Sequence, residues 1–242
     1  MRTILLTNDD GFDAEGIRLL YELLQPYGKV VLVAPKGHMS GASVSRQFWY
    51  ESLVEKHSET IYSVEGTPAD AAHFGIFGLK LEPDLLISGV NNGLNIGIDT
   101  IYSGTIGAAM EGLKAKIPSI AFSTDWNCFA NAKNQFKETM DFLLERDLPT
   151  KRYVLNVNFT TSAHPTPKGI RITDLAFRPM HHYYVETEPG KYRTKRQFLP
   201  YETIPNTDLW AAENGYVSIT PLKLGNRTET GLAELREKAG QS

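Results

Sequence analysis

Apolar and polar positions follow two rhythms along the first 150 residues. Short, continuously apolar runs, Ile4-Leu5-Leu6, Val30-Val31-Leu32-Val33 and Leu85-Leu86-Ile87, have the pattern of strands covered on both faces. Between them lie segments with helical spacing: Ile17, Leu20, Tyr21 and Leu24 fall on one face. The spacing predicts strands at 3–7, 29–34, 61–64, 84–88 and 119–123, and helices at 14–25, 68–77, 105–115 and about 130–145. Strands interleaved with helices predict an α/β fold with a Rossmann-like, doubly wound, mostly parallel sheet. Right-handed crossovers then bring the strand ends to one edge.

Beyond residue 152 the pattern becomes strand-rich, with strands predicted at 153–158, 169–174, 183–188, 192–198 and 216–220. The polar, aromatic runs on either side of Glu188-Pro189-Gly190-Lys191 read as a hairpin with little core character. Such a hairpin is marginal alone, so it is expected to project and pair with another subunit. A short amphipathic helix carrying Leu232 and Leu235 is predicted to close the chain. The expected organisation is a Rossmann-like core over 1–150. A β-rich extension over 151–242, carrying an oligomerisation hairpin and the last helix, completes the same domain.

Four polar loops follow apolar strands. The first, Asn8-Asp9-Asp10-Gly11, sets two adjacent carboxylates at the end of the first strand. Two carboxylates crowded there repel unless a cation lies between them or one is protonated. A hard divalent cation with oxygen ligands resolves the conflict. The alternative is a helix cap, since Asp and Asn are common in strand-to-helix turns. Asp13 is expected to fill that role, which leaves Asp9 and Asp10 for a metal. The second loop, Lys36 to Ser45, brings Ser40; the third, Ser88 to Gly97, brings Asn91 and Asn95. The fourth, Tyr102-Ser103-Gly104-Thr105, opens a helix and reads as an anion seat, where amides and hydroxyls meet the helix dipole. Taken singly, the third loop is more simply a turn and Ser103 an N-cap; it is their recurrence after four strands that points to one polar crevice. A metal beside an anion seat suggests a phosphate ester.

Composition narrows the partners. The chain has 242 residues, is 41% hydrophobic and 22% charged, and carries a net charge of −3, which does not suggest a broad basic surface for a nucleic-acid polymer. No apolar run approaches the ~20 residues of a membrane span. One cysteine, Cys128, leaves no intrachain disulfide and fits a cytoplasmic protein. Neither GxxxxGK[ST] nor GxGxxG occurs, so triphosphatase and dinucleotide readings lose support. His38, His73, His164, His181 and His182 show no metal-ligand spacing, and His73 reads as a core histidine. Phe48-Trp49-Tyr50 is expected to be an ordinary packed strand rather than a base-stacking surface.

Six ordered motifs closely resemble the SurE (survival protein E) family. They are Thr7-Asn8-Asp9-Asp10-Gly11, Ala34-Pro35 with Ser40-Gly41-x-Ser43, and Gly66-Thr67-Pro68-Ala69-Asp70. Next come Ser88-Gly89-Val90-Asn91-x-Gly93-x-Asn95 and Tyr102-Ser103-Gly104-Thr105 with Ala108-Ala109-x-Glu111-Gly112. The last is Gly215-Tyr216-Val217-Ser218-Ile219-Thr220-Pro221. The resemblance implies a metal-dependent phosphatase acting on nucleoside 5′-monophosphates, in some members also on 3′-monophosphates and short polyphosphate. It implies one divalent ion per subunit, magnesium or manganese, held by Asp9, Asp10, Ser40 and Asn91. Asp9 and Asp10 are the implied catalytic residues. Asn95, Ser103, Gly104 and Thr105 are the implied phosphate contacts, and Asn8 is grouped with them. A homodimer or homotetramer is implied as well. Met39 departs from the pattern, standing where many members carry Arg. Two other classes stay open: a nucleotide-binding regulator without turnover, and a metal-dependent transferase with a nucleotide-linked donor.

Overall fold

A computed structural model describes residues 1–223 of the chain; the predicted helix with Leu232 and Leu235 lies outside the described residues. The first half runs β1 (Thr3–Thr7), α1 (Glu15–Leu24), β2 (Lys29–Pro35), β3 (Val54–Lys56), β4 (Ile61–Val64), α2 (Pro68–His73), β5 (Leu85–Asn92), α3 (Gly104–Lys114), β6 (Ser119–Thr124) and α4 (Phe129–Glu145). The second half adds β7 (Val154–Asn158), β8 (Ile170–Ile172), β9 (Met180–Glu188), β10 (Lys191–Phe198), α5 (Asp208–Asn214) and β11 (Val217–Leu222).

Among the described residues, nine strands form one sheet in the order β3-β4-β2-β1-β5-β6-β7-β11-β8. The six from β4 to β7 are mutually parallel, as the α/β reading expects. β3 and β11 join it antiparallel to β4 and β7. Strands from before and after residue 150 therefore share one sheet. The chain winds outward from β1 in both directions, to β2 and β4 on one side and to β5 on the other. Such a switch point opens a crevice at the carboxyl ends of the two neighbouring strands, here β1 and β5.

Alternate residues of each central strand feed two cores. Ile4, Leu6, Val30, Leu32 and Ile87 pack with Ile17, Leu20 and Leu24 of α1 and with Phe136, Met140 and Leu143 of α4. Leu5, Val31, Val33 and Leu86 pack on the other face with Ala71 and Ala72 of α2 and with Ile106, Ala109 and Leu113 of α3. Burial on both faces is why these strands read as unbroken apolar runs. At Gly16 a Cβ would fall 2.0 Å from the carbonyl of Val90, so only glycine lets α1 lie this close to the sheet.

Several local expectations are corrected. Asp13 does not cap α1: Ala14 holds the cap position without a side-chain bond, and Asp13 forms an exposed 3.9 Å pair with Arg18. The chain enters the helix through a turn closed by Ala14 N–H on Gly11 O, which leaves Asp13 one residue too early. Phe48, Trp49 and Tyr50 are exposed and lie outside any strand; the edge strand forms later, at β3. His73 is not a core histidine: its ring stays partly exposed, with Nδ1 2.7 Å from Glu111 Oε1. α5 was not foreseen. It is capped by Thr207, which accepts from Trp210 N–H, and is stopped by Gly215 in the left-handed region.

The ring of Phe122, fully buried, stacks on Phe159 and tilts against Phe136 at 5.6 and 5.4 Å between centroids. Phe122→Ala is expected to cost about 3–5 kcal/mol, because the layer between sheet and α4 cannot collapse to fill the void. Urea unfolding should show a lower midpoint at an unchanged slope.

Candidate active site

The first loop is built by Asn8. Fully buried, it donates from Nδ2 to Gly11 O at 2.8 Å and accepts from Gly11 N–H at 3.2 Å. Both of its polar atoms are spent on the turn. Gly11 completes the turn at φ 113°, a conformation that side chains resist. The tight turn sends the two following carboxylates to different neighbours.

Asp9 is 2% exposed and faces the start of α3. Its Oδ1 accepts from the Thr105 hydroxyl at 2.5 Å. Gly104 lies so close that a Cβ there would meet Asp9 Oδ2 at 2.9 Å. Ser103 caps α3, its Oγ accepting from Ile106 N–H at 3.2 Å. Burial pushes the Asp9 carboxyl above its ordinary value. The Thr105 hydroxyl opposes that shift, the charge of Asp10 adds to it, and the Thr105 backbone N–H opposes it again. Asp10 turns the other way. Its Oδ2 accepts from Asn92 N–H at 3.3 Å, and its Oδ1 lies 3.2 Å from Nδ1 of His38.

Ser40 is exposed, in a loop docked directly on this pair: Met39 N–H donates to Asp9 O at 2.7 Å. Further along, Ser43 donates from N–H to Tyr102 O at 3.1 Å and from Oγ to Ile101 O at 2.7 Å. Gly107 of α3 lets the loop close, since a Cβ there would fall 1.9 Å from Ser43 O. Behind it, Arg46 is clamped between Asp70 and Glu111 at 2.9 and 3.2 Å. Burial alone would raise the carboxyl of Asp70. Arg46, with the N–H groups of Thr67 and Gln47, holds it below its ordinary value instead.

The third loop is pinned from the far half of the chain. Asn91 donates to Gly93 O at 2.7 Å, which leaves its Oδ1 uncommitted to that bond. Asn95 is buried: its N–H donates to Asn158 Oδ1, its Nδ2 to Ser123 Oγ, and its carbonyl accepts from Asn156 and Asn158. Asp208 of α5 accepts from Gly97 N–H and Ala176 N–H, both at 2.8 Å.

Asp9, Gly104 and Thr105 therefore meet directly, and Ser103 sits at the same helix end. Ser40 arrives on a loop docked on Asp9, and the third loop meets Asp10 through Asn92. Asn8 and the amide nitrogen of Asn95 are engaged in scaffolding. Sequence reading overlooked Arg46 and Asp208, and set His38 aside for want of metal-ligand spacing. For His38 a signal was present, two residues before Ser40 in one loop.

Among the described residues, no Lys or Arg pairs with Asp9 or Asp10, and no three His, Cys, Asp or Glu side chains gather as a metal cluster. The crevice thus offers two carboxylates, with neutral oxygens near them. That donor set fits a hard oxygen-seeking cation rather than zinc.

The survival protein SurE family model matches residues 4–182. A protein named 5′-nucleotidase SurE from Vibrio cholerae serotype O1 (El Tor Inaba) is 38% identical over 236 residues, covering 91% of each chain. The same-named protein of a Classical Ogawa strain is also 38% identical over 236 residues, covering 91% of this chain and 86% of its own. The crystal structure of the SurE protein from Aquifex aeolicus superposes with a TM-score of 0.85 at 34% identity, covering 98% of this chain and 99% of that one.

Asp9 carries a stability prediction. A carboxyl whose pKa is raised on folding binds its proton more tightly in the folded state. Ionising it therefore costs stability above the folded value, and the cost vanishes below the unfolded value near 3.8. In chelator at neutral pH, Asp9→Asn should melt higher than the unsubstituted protein, since Asn keeps an acceptor for Thr105 and removes the buried charge. The gap should close as the pH falls below about 4. Calorimetry across that range checks the sign.

Proposed function

This chain belongs to the SurE family, and from that premise we propose that it is a 5′-nucleotidase that hydrolyses nucleoside 5′-monophosphates to nucleoside and phosphate. The observation that carries the reading is the placement of Asp9, a buried carboxylate pressed against the first residues of α3 and bordered by Asp10. We further propose that the activity is metal-dependent and extends to 3′-monophosphates and short polyphosphate. The kinship with proteins named 5′-nucleotidase SurE supports the coarser assignment.

Asp9, Asp10, Ser40 and Asn91 would hold one magnesium or manganese ion. When bound, the ion supplies Lewis-acid polarisation of the phosphoryl oxygen and a more acidic water. The start of α3 seats the phosphate at Ser103, Gly104 and Thr105: the Ser103 O–H and the Gly104 N–H would donate where equatorial charge develops, while the hydroxyl and amide of Thr105 hold Asp9 beside them. Gly104 allows the close approach. Asp9 Oδ1 is held by Thr105, so Oδ2 is the atom placed to move a proton to or from the reacting oxygens. Asn8 and Asn95 serve the phosphate by shaping the turn and the third loop. Among the described residues no helix is long and apolar enough to cross a membrane. We place the enzyme in the cytoplasm, where Cys128 stays reduced.

Assembly belongs to the same proposal. β9 and β10 form a separate two-stranded sheet, every residue of β10 is exposed, and Tyr184 and Tyr192 are 71% and 62% exposed. A bare hairpin with that much aromatic surface calls for a covering partner, and a second copy of the chain in a dimer or tetramer provides it.

Asp9→Asn and Asp10→Asn should each lower phosphate release from AMP or GMP by roughly 100-fold or more, about 3 kcal/mol of transition-state stabilisation. Exhaustive chelation should silence the unsubstituted enzyme, and magnesium or manganese should restore it. Release without an added acceptor separates hydrolysis from group transfer; full activity of either variant at saturating metal would remove these residues from the metal.

Light scattering at micromolar concentration should report a dimer or larger, because a stable interface buries well over ~1,000 Å². A species of only 27.0 kDa would refute the covering role of the hairpin.

A further inference from the structure

A cavity of about 600 Å³ opens beside the crevice rather than over the Asp pair. Its wall starts at Gly93, next in the chain to Asn92, whose N–H meets Asp10. Consecutive Cα atoms are ~3.8 Å apart, so the cavity begins one residue from the carboxylates. Asp125, which follows β6, and Thr161, which follows β7, carry the wall along the carboxyl edge of the sheet. In sheets of this kind ligands lie along that edge, and the volume is in the range of small-molecule sites.

The far wall is supplied by residues that the catalytic reading does not use. The guanidinium carbon of Arg178 lies over the ring of Phe198, 3.5 Å from its centroid, and 4.8 Å from that of Tyr201. The Nε of Arg178 is buried and has no hydrogen-bond partner among the described residues. A buried donor left unmade is costly, so this one calls for an acceptor that the described residues do not provide. Trp126, exposed, lines the same cavity.

We propose that this cavity receives the nucleoside of the substrate, and that Arg178 selects guanine. Guanine offers two adjacent acceptors, O6 and N7, which the planar Arg fork pairs bidentately. Adenine has a donor in place of O6 and so offers the fork no such pair. A site built to satisfy such a donor discriminates more sharply than an apolar pocket of the same shape. The proposal rests on the nucleotidase reading: the phosphate end stays at Asp9, Asp10 and the start of α3.

Two measurements test it on the full chain. In steady-state hydrolysis, GMP should exceed AMP in kcat/KM by ~10-fold or more, expressed mainly in KM. Arg178→Ala and the charge-retaining Arg178→Lys should both bring that ratio close to one. A ratio near one in the unsubstituted enzyme, or one that survives both substitutions, overturns the proposal. Separately, guanosine without phosphate should give saturation-transfer NMR signals with the metal-free protein. Ala163→Phe, placed at an exposed cavity residue so that folding is spared, should abolish them. Signals undiminished in Ala163→Phe count against the cavity. If guanosine binds and is lost as described while no nucleotide is hydrolysed, the nucleotidase reading fails and the nucleoside cavity stands. If nucleotides are hydrolysed but guanosine gives no signal, the cavity assignment fails alone.

Discussion

A carboxylate buried at the end of a central strand governs the arrangement around it. Asp9 sits against the start of α3, with a second carboxylate beside it and no Lys or Arg paired to either among the described residues. Taking such a charge out of water is expensive, and a protein interior tolerates it only with hydrogen bonds and a countercharge. The hydroxyl and amide of Thr105 supply part of the compensation, as does the positive end of the helix. What remains uncompensated is a standing attraction for a cation. A fold that left the site half-neutralised would waste stability, so the residual cost is best understood as held for binding.

The loops that complete the crevice are fixed by buried polar contacts rather than by secondary structure. Arg46 is clamped by Asp70 and Glu111, and the removal of Arg46 would leave buried Asp70 without its ion-pair partner. Asp208 takes two backbone amides from segments 79 residues apart, Gly97 and Ala176, and so ties the third loop to the approach of the hairpin. Burial raises its carboxyl, and the amide donors only partly offset that. The β-rich half is in this way part of the site's frame: β7 supplies Asn156 and Asn158, which grip the carbonyl of Asn95.

The central strands were legible because burial on both faces writes itself as a local run of apolar residues; β1 and β4 have the bounds that the pattern predicts. β5 runs on to Asn92, past the Ser88-Gly89 that reads as a break, because its bulge keeps it paired with β6. The short elements were not legible. β3 exists by pairing Val54 with Val64, and α5 spans only seven residues, so their stability comes from tertiary partners that no local window contains. Phe48-Trp49-Tyr50 has strand composition, but Arg46 and Gln47 are drawn to Asp70 and hold the segment away from the sheet edge. At the site, residue types were readable from the loops. The partners were not, since Gly97 and Asp208 are 111 positions apart.

The same geometry sorts residues that a motif presents as equals. Asn8 spends both polar atoms on its turn and Asn95 spends its amide nitrogen on Ser123, whereas Ser103 accepts from Ile106 N–H and still has its own O–H to give. A side chain whose hydrogen bonds are consumed inside the fold pays again to release them for a ligand. Asp9 keeps Oδ2, Asp10 keeps only a long amide contact and an exposed histidine, and Ser40 stands in solvent on a docked loop. Chemistry therefore concentrates on the few atoms that the scaffold leaves unspent. The others are present in the motif because they aim those atoms, and a substitution at Asn8 or Asn95 should misplace the site rather than delete one of its functional groups.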